Sequence, residues 1–182
     1  MSSRTSSNRA VRRSSVLAGS IALACLVGVE TMADDAYGVG DSVAAIELTD
    51  QHGEVGSVDG STKVVLLVRD RFASEILKEA FADIEPQALA ERKIAYITDI
   101  SGLTLLAENL FVVPGMRAKA YSILLDRDPV KTGRYPGKGG QVTVLFLEDL
   151  EVKRVEYATT GSEIVELLTL QIANLEGDVS ND

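Results

Sequence analysis

Residues 63–68 read KVVLLV, a β-branched and leucine run too short for a helix and apolar on both faces. Such a run fits a strand buried between two layers, which needs covering on each side. It therefore asks for an α/β architecture, and the flanking sequence supplies one. Residues 74–90 repeat apolar side chains at helical spacing (Ile76, Leu77, Ala80, Phe81, Ile84). Ser74 is placed to cap the first amides and Pro86 to break the helix. Residues 93–98 (KIAYIT) read as a second central strand, and 103–111 as a second helix introduced by Ser101-Gly102.

The remaining blocks extend the same layout. Residues 43–48 alternate loosely, and Thr49-Asp50-Gln51-His52-Gly53-Glu54 is a turn that reverses the chain, so a hairpin is expected there. Residues 121–125 (YSILL) read as a short strand ended by Asp126-Arg127-Asp128-Pro129. The loop Tyr135-Pro136-Gly137-Lys138-Gly139-Gly140 leads into a strong strand at 142–147. Glu148-Asp149-Leu150-Glu151 turns that strand into 152–157 as an antiparallel hairpin. A closing helix over 162–175 follows, with Thr160 and Glu163 at the spacing of a capping box. The expected fold class is α/β: three layers, a central mixed sheet with a βαβ half, a C-terminal β-hairpin and a closing helix.

The first residues differ in kind. Arg4, Arg9, Arg12 and Arg13 precede an apolar run at 16–29 with no acid between, the order of an export signal. That run is 14 residues, whereas a helix needs about 20 to span a bilayer, so a transmembrane anchor is not expected. Thr31-Met32-Ala33 offers small residues for cleavage after Ala33. The division is then residues 1–33 as signal peptide, 34–176 as the domain and 177–182 as a polar tail. Two variants stay open: Ala22-Leu23-Ala24-Cys25 resembles a lipobox, which would make Cys25 a lipid anchor, and Arg12-Arg13 resembles a twin-arginine signal in place of the general secretory one.

Cleavage removes Cys25, the only cysteine, so the mature domain has neither disulfides nor thiol chemistry. Of 18 basic and 27 acidic residues the first 33 positions hold four and one, leaving 14 against 26. A surface with that excess of acid repels nucleic acid and anionic lipid.

The segment from Gly40-Asp41-Ser42 through Leu48-Thr49-Asp50-Gln51-His52-Gly53-Glu54 resembles the opening of redoxins of the alkyl hydroperoxide reductase/thiol-specific antioxidant type. Tyr121-Ser122-Ile123-Leu124-Leu125-Asp126 and residues 142–148 resemble their later strands, so the likeness covers roughly residues 38–175. The order of elements is similar to the thioredoxin-like fold, and the spacing is closest to the YtfJ-type family of small periplasmic proteins. The resemblance implies a thioredoxin-like fold with an attacking cysteine at the amino end of the helix after the first central strand, where amides and helix dipole stabilise a thiolate. Here that stretch is Arg69-Asp70-Arg71-Phe72-Ala73-Ser74-Glu75, without a thiol. The proline that usually lies beside the site is replaced within Gln141-Val142-Thr143.

Ser74 lies near the missing thiol but has no base in sequence reach, and a helix cap is its simpler role. His52 sits in a turn and cannot form a zinc site alone. Asp99, Glu108, Asp126 and Asp128 lack the spacing of a calcium loop and read as solvated carboxylates. The Gly137–Gly140 stretch lacks the P-loop pattern and reads as a flexible connection. Arg69 and Arg71, just beyond a buried strand, stand where α/β proteins bind ligands; with Ser74 they are the candidate contacts for an anion or partner, though surface pairing around Asp70 is the simpler reading. No catalytic residue, metal ligand or cofactor is assigned. The reading is an exported, periplasmic binding module for an envelope protein or small ligand. The alternatives are a lipoprotein and, as an enzyme, a redoxin working with a partner's thiols or a hydrolase using an acid cluster.

Overall fold

The computed structural model describes residues 36–82 and 84–179. At its centre is the strand that the KVVLLV run predicts: β3 (Val64–Val68), all five residues buried. It pairs in parallel with β4 (Ile94–Asp99), which pairs in parallel with β5 (Leu124–Asp126). On its other edge β3 meets β6 (Val142–Glu148) antiparallel, and β6 turns back into β7 (Glu151–Ala158). The hairpin of β1 (Ile46–Asp50) and β2 (Val55–Val58) adds to the far edge of β5. The result is one mixed sheet of seven strands in the order β2-β1-β5-β4-β3-β6-β7.

The two faces of β3 feed two cores. Leu66 and Val68 join Val144, Leu77, Leu89, Val113 and Ile164 under the helices, while Val65 and Leu67 join Leu145, Tyr37, Val43 and Tyr135 on the opposite face. The helical layer is α1 (Arg71–Ala80), α2 (Pro86–Glu91), the segment α3 (Leu105–Ala107), a π-helical stretch (Glu108–Val112) and α4 (Val113–Arg117), and the closing α6 (Gly161–Val179). The other layer is thin, formed by irregular chain around Tyr37 and Val43 and by the short α5 (Pro129–Thr132), which the sequence reading did not anticipate. No helix among the described residues is long and apolar enough to cross a membrane.

Several boundaries differ from expectation for local reasons. The helix expected from residue 74 starts earlier, at Arg71, and is divided as expected, since Pro86 opens α2 and cannot continue a helix. The helix expected over 103–111 continues to Arg117 through the π stretch. There the Val113 amide donates to the Glu108 carbonyl, and Pro114 has no amide to offer Leu110. The Asp149-Leu150 turn is tight as expected, with both residues in the left-handed region (φ 48 and 68). The capping box is distributed: Thr160 Oγ1 accepts from the Glu163 amide, but Glu163 accepts from the Thr159 amide. The last helix runs on to Val179, so the polar tail expected from residue 177 begins as helix. The predicted leader and its cleavage point fall outside the described residues.

Residues 121–123 lie outside β5 because a side chain holds them. Gln51, 1% exposed, donates through Nε2 to the Tyr121 carbonyl and accepts through Oε1 from the Ile123 amide, both at 2.8 Å. One amide group thus does the work of a neighbouring strand. Gln51→Leu, which fills the space but leaves those backbone groups without partners, is expected to lower unfolding free energy by about 2 to 4 kcal/mol in urea titrations. The opposite is expected at Tyr135, whose buried hydroxyl has no hydrogen-bond partner among the described residues. Tyr135→Phe keeps the edge-on contact with Tyr37 and should hold or raise Tm.

Candidate functional site

Arg69 and Asp70 follow the last residue of β3, at the carboxyl end of the sheet, and their side chains point to different tasks. Asp70 has extended backbone (φ −150, ψ 171) and caps α1, its Oδ1 accepting from the Ala73 amide at 3.0 Å. Its other oxygen accepts from the Gly140 amide at 2.7 Å. These hydrogen bonds, Gly140 first and Ala73 next, hold its carboxyl below the usual aspartate range. The amides that would stabilise a thiolate at this helix end therefore serve a carboxylate supplied by the chain itself.

Arg69 is occupied as well. Nη1 donates to Asp99 Oδ2 at 3.0 Å, and Nη2 donates to the Thr132 and Tyr135 carbonyls at 2.7 and 3.0 Å. The guanidinium thus ties the ends of β3 and β4 to the chain after α5. Gly137 lies directly over it, since a Cβ there would meet Arg69 Nε at 2.7 Å. The Gly137–Gly140 stretch is consequently not the loose connection expected. Gly137 packs on Arg69, Gly140 binds Asp70 from the left-handed region (φ 72), and the Lys138 ammonium sits 3.9 Å from the Tyr157 ring centre.

Ser74 is not the cap. Asp70 takes that role because the helix begins at Arg71, and the Ser74 amide donates to the Asp70 carbonyl as part of the helix. Burial pushes the pKa of the Tyr96 phenol up to about 12, and the neighbouring Ser74 hydroxyl opposes that rise. Arg71 is exposed on the first turn, with no ion pair among the described residues. The three residues singled out from the sequence therefore part company. Arg69 binds inward, to Asp99 rather than Asp70, Arg71 faces solvent, and Ser74 lines the cleft between α1 and α4.

The acidic residues do not converge on one point, and two are buried rather than solvated. Asp126 is 0% exposed beside Asp99 on the neighbouring strand, and accepts from the Thr132 hydroxyl and the Asp128 amide. Burial raises its pKa. Glu108 is buried against Arg127 Nε at 2.6 Å, and Asp128 caps α5. His52 is exposed in the β1–β2 turn, where the Asp50 carboxylate accepts from the His52 and Glu54 amides.

The sequence reading did not mark the outer surface of the segment after β4. Leu105, Leu106, Leu110 and Phe111 are between 58% and 75% exposed, and Leu103 is also open to solvent. The signal was present in the sequence. Residues 105, 106, 110 and 111 distribute apolar side chains around a helix more widely than one buried stripe needs, so part of the set must face water.

The Asp70 cap yields a pH-dependent expectation. Asp70→Ala should cost about 1 kcal/mol at pH 7. Because the folded pKa lies below the ordinary 3.8, this stabilisation is present above 3.8 and is lost as pH falls through the folded value. Urea unfolding at pH 7 and pH 3 should show the gap between wild type and variant narrowing at the lower pH.

No family model matches the chain, and no curated protein matches it. Solved structures do. A candidate protein disulfide isomerase from Bacteroides thetaiotaomicron superposes with a TM-score of 0.54 at 15% identity, over 75% of this chain and 88% of that one. A candidate thiol:disulfide interchange protein, DsbE, from Chlorobium tepidum gives 0.53 at 11%, over 75% and 98%. The thioredoxin domain of a thiol-disulfide oxidoreductase from Bacteroides vulgatus gives 0.50 at 13%, over 74% and 97%. With the βαβ half, the antiparallel hairpin and the closing helix all in place, the chain has a thioredoxin-like fold.

Proposed function

We propose that this protein is an exported, periplasmic binding module without thiol redox chemistry, which engages an envelope protein through the apolar residues exposed after β4. The observation that carries the reading is the Asp70 carboxylate, which accepts from the Ala73 amide at the start of α1, where the resemblance places a thiolate, and from the Gly140 amide of the loop before β6. The only cysteine, Cys25, belongs to the expected leader. Four large apolar side chains exposed within seven residues support the second half, since soluble chains seldom leave such a patch uncovered unless something docks there. An apolar helix face is suited to a groove on a partner protein.

Purified protein incubated with hydrogen peroxide or a disulfide substrate and a dithiol reductant is expected to give no turnover above background. Turnover that requires the protein would favour the alternative, a redoxin working with a partner's thiols. A photo-crosslinking residue at Phe111 is expected to trap a discrete envelope protein in cells, whereas the same residue at Lys153 on β7 traps none. Leu110→Glu in the Phe111 crosslinking background should abolish the adduct. Mass spectrometry of the mature amino terminus tests export: a chain starting at Asp34 supports signal cleavage, and a lipidated Cys25 replaces it with the lipoprotein form.

A further inference from the structure

The helical side of the sheet is not filled at the edge beyond α1. Between α1 and α4 lies a cleft of about 310 Å³ whose lining includes Ser74, Glu75, Lys78, Met116, Lys119 and Tyr121. Beside it, between α2 and the chain before β5, lies a second of about 300 Å³, with a wall of Pro86, Leu89, Ile94 and Ala120. Tyr96 and Tyr121 line both, so the two adjoin around an aromatic cluster that Phe81 completes, its ring centre 4.8 Å from that of Tyr121 and 5.9 Å from that of Tyr96. Each is of the size of a small-molecule site, at the lower end of the usual range of about 300–1,000 Å³.

The chemistry changes along this path. The cleft beside α2 is mainly hydrocarbon and ring, whereas the cleft between α1 and α4 carries two ammonium groups and the Glu75 carboxylate. Lys78 pairs with Glu75 at 3.1 Å, an exposed pair of little energy. Lys119 has no ion pair among the described residues. A chain of net charge −9 thus keeps a local excess of positive charge, two ammonium groups against one carboxylate, beside an apolar cleft. Ser74 and Tyr96 stand near each other on the wall of the cleft between α1 and α4. A single hydrocarbon tail with an anionic head complements this arrangement, and a neutral or cationic head does not.

We propose that the paired clefts bind a single-chain carboxylate, with the acyl tail beneath α2 against Tyr96 and Tyr121 and the carboxylate between Lys78 and Lys119. The site is separate from the apolar surface after β4, and neither depends on the other. The chain has five tyrosines and no tryptophan, so tyrosine emission reports on a cavity that two of them line.

Sodium decanoate, kept below its micelle concentration, is expected to change tyrosine emission saturably with one molecule bound per chain. Lys119→Ala should weaken binding about tenfold, and decanol and decyltrimethylammonium should each bind at least about tenfold more weakly than decanoate. Gly115 provides a variant that keeps the fold. It lies in α4 on the cleft wall and a Cβ there meets nothing within 4 Å, so Gly115→Leu adds a better helix former and fills the mouth. That variant should keep or gain thermal stability while losing decanoate binding. The proposal is overturned if decanoate does not saturate, if decanol binds as tightly, or if Gly115→Leu binds decanoate like wild type. It is also overturned if wild type dimerises and Gly115→Leu is monomeric, which assigns the cleft to a second copy of the chain.

Discussion

The carboxyl end of this sheet depends on two adjacent charged residues that point to different neighbours. Asp70 fixes where α1 begins and draws in the backbone at Gly140, while Arg69 draws together Asp99 on β4 and the carbonyls of Thr132 and Tyr135. Between them they connect β3, β4, α1, the chain after α5 and the loop entering β6. The half-buried Arg69–Asp99 pair is useful chiefly because the guanidinium also donates to the Tyr135 carbonyl and joins the Tyr135 amide on the Thr132 carbonyl. Replacing either residue removes several contacts that share one geometry, and effects at such sites do not add.

Much of this fold was legible in the sequence because its strongest signals are local. The KVVLLV run, the two-residue reversal at Asp149-Leu150 and the helical spacing after Arg69 need no knowledge of what lies across the molecule. The parts that were not legible depend on partners distant in sequence. Nothing near Arg69 indicates that it pairs with Asp99 instead of Asp70, thirty positions away rather than one. The burial of Asp126 and Glu108 was likewise hidden, because a carboxylate is read as solvated until Thr132 or Arg127 is seen beside it. Serine and aspartate are equally good caps, so residue type alone does not choose between Ser74 and Asp70, and Asp70 stands nearer the strand.

The shortness of β5 has a single cause with effects some distance away. Gln51 holds residues 121–123 by their backbone, so the ladder between β4 and β5 starts only at Ile97 and Leu124. Ile94 and Tyr96 are left without a strand beside them on that edge, and both line the cavity under α2. Tyr121 lines it from the facing side. A polar contact made to satisfy two backbone groups thereby keeps open a space that a longer strand would have closed.

The carboxylate at α1 occupies a position that matters physically to the helix. The amino end of a helix presents unpaired amides and a partial positive charge, and it is most stable with an anion nearby. A redoxin fills that position with a thiolate, which must stay exposed to react. Asp70 fills it with a group already bonded on both oxygens and held ionised by those bonds. The helix end thus has an anion on its amides that is not a thiolate.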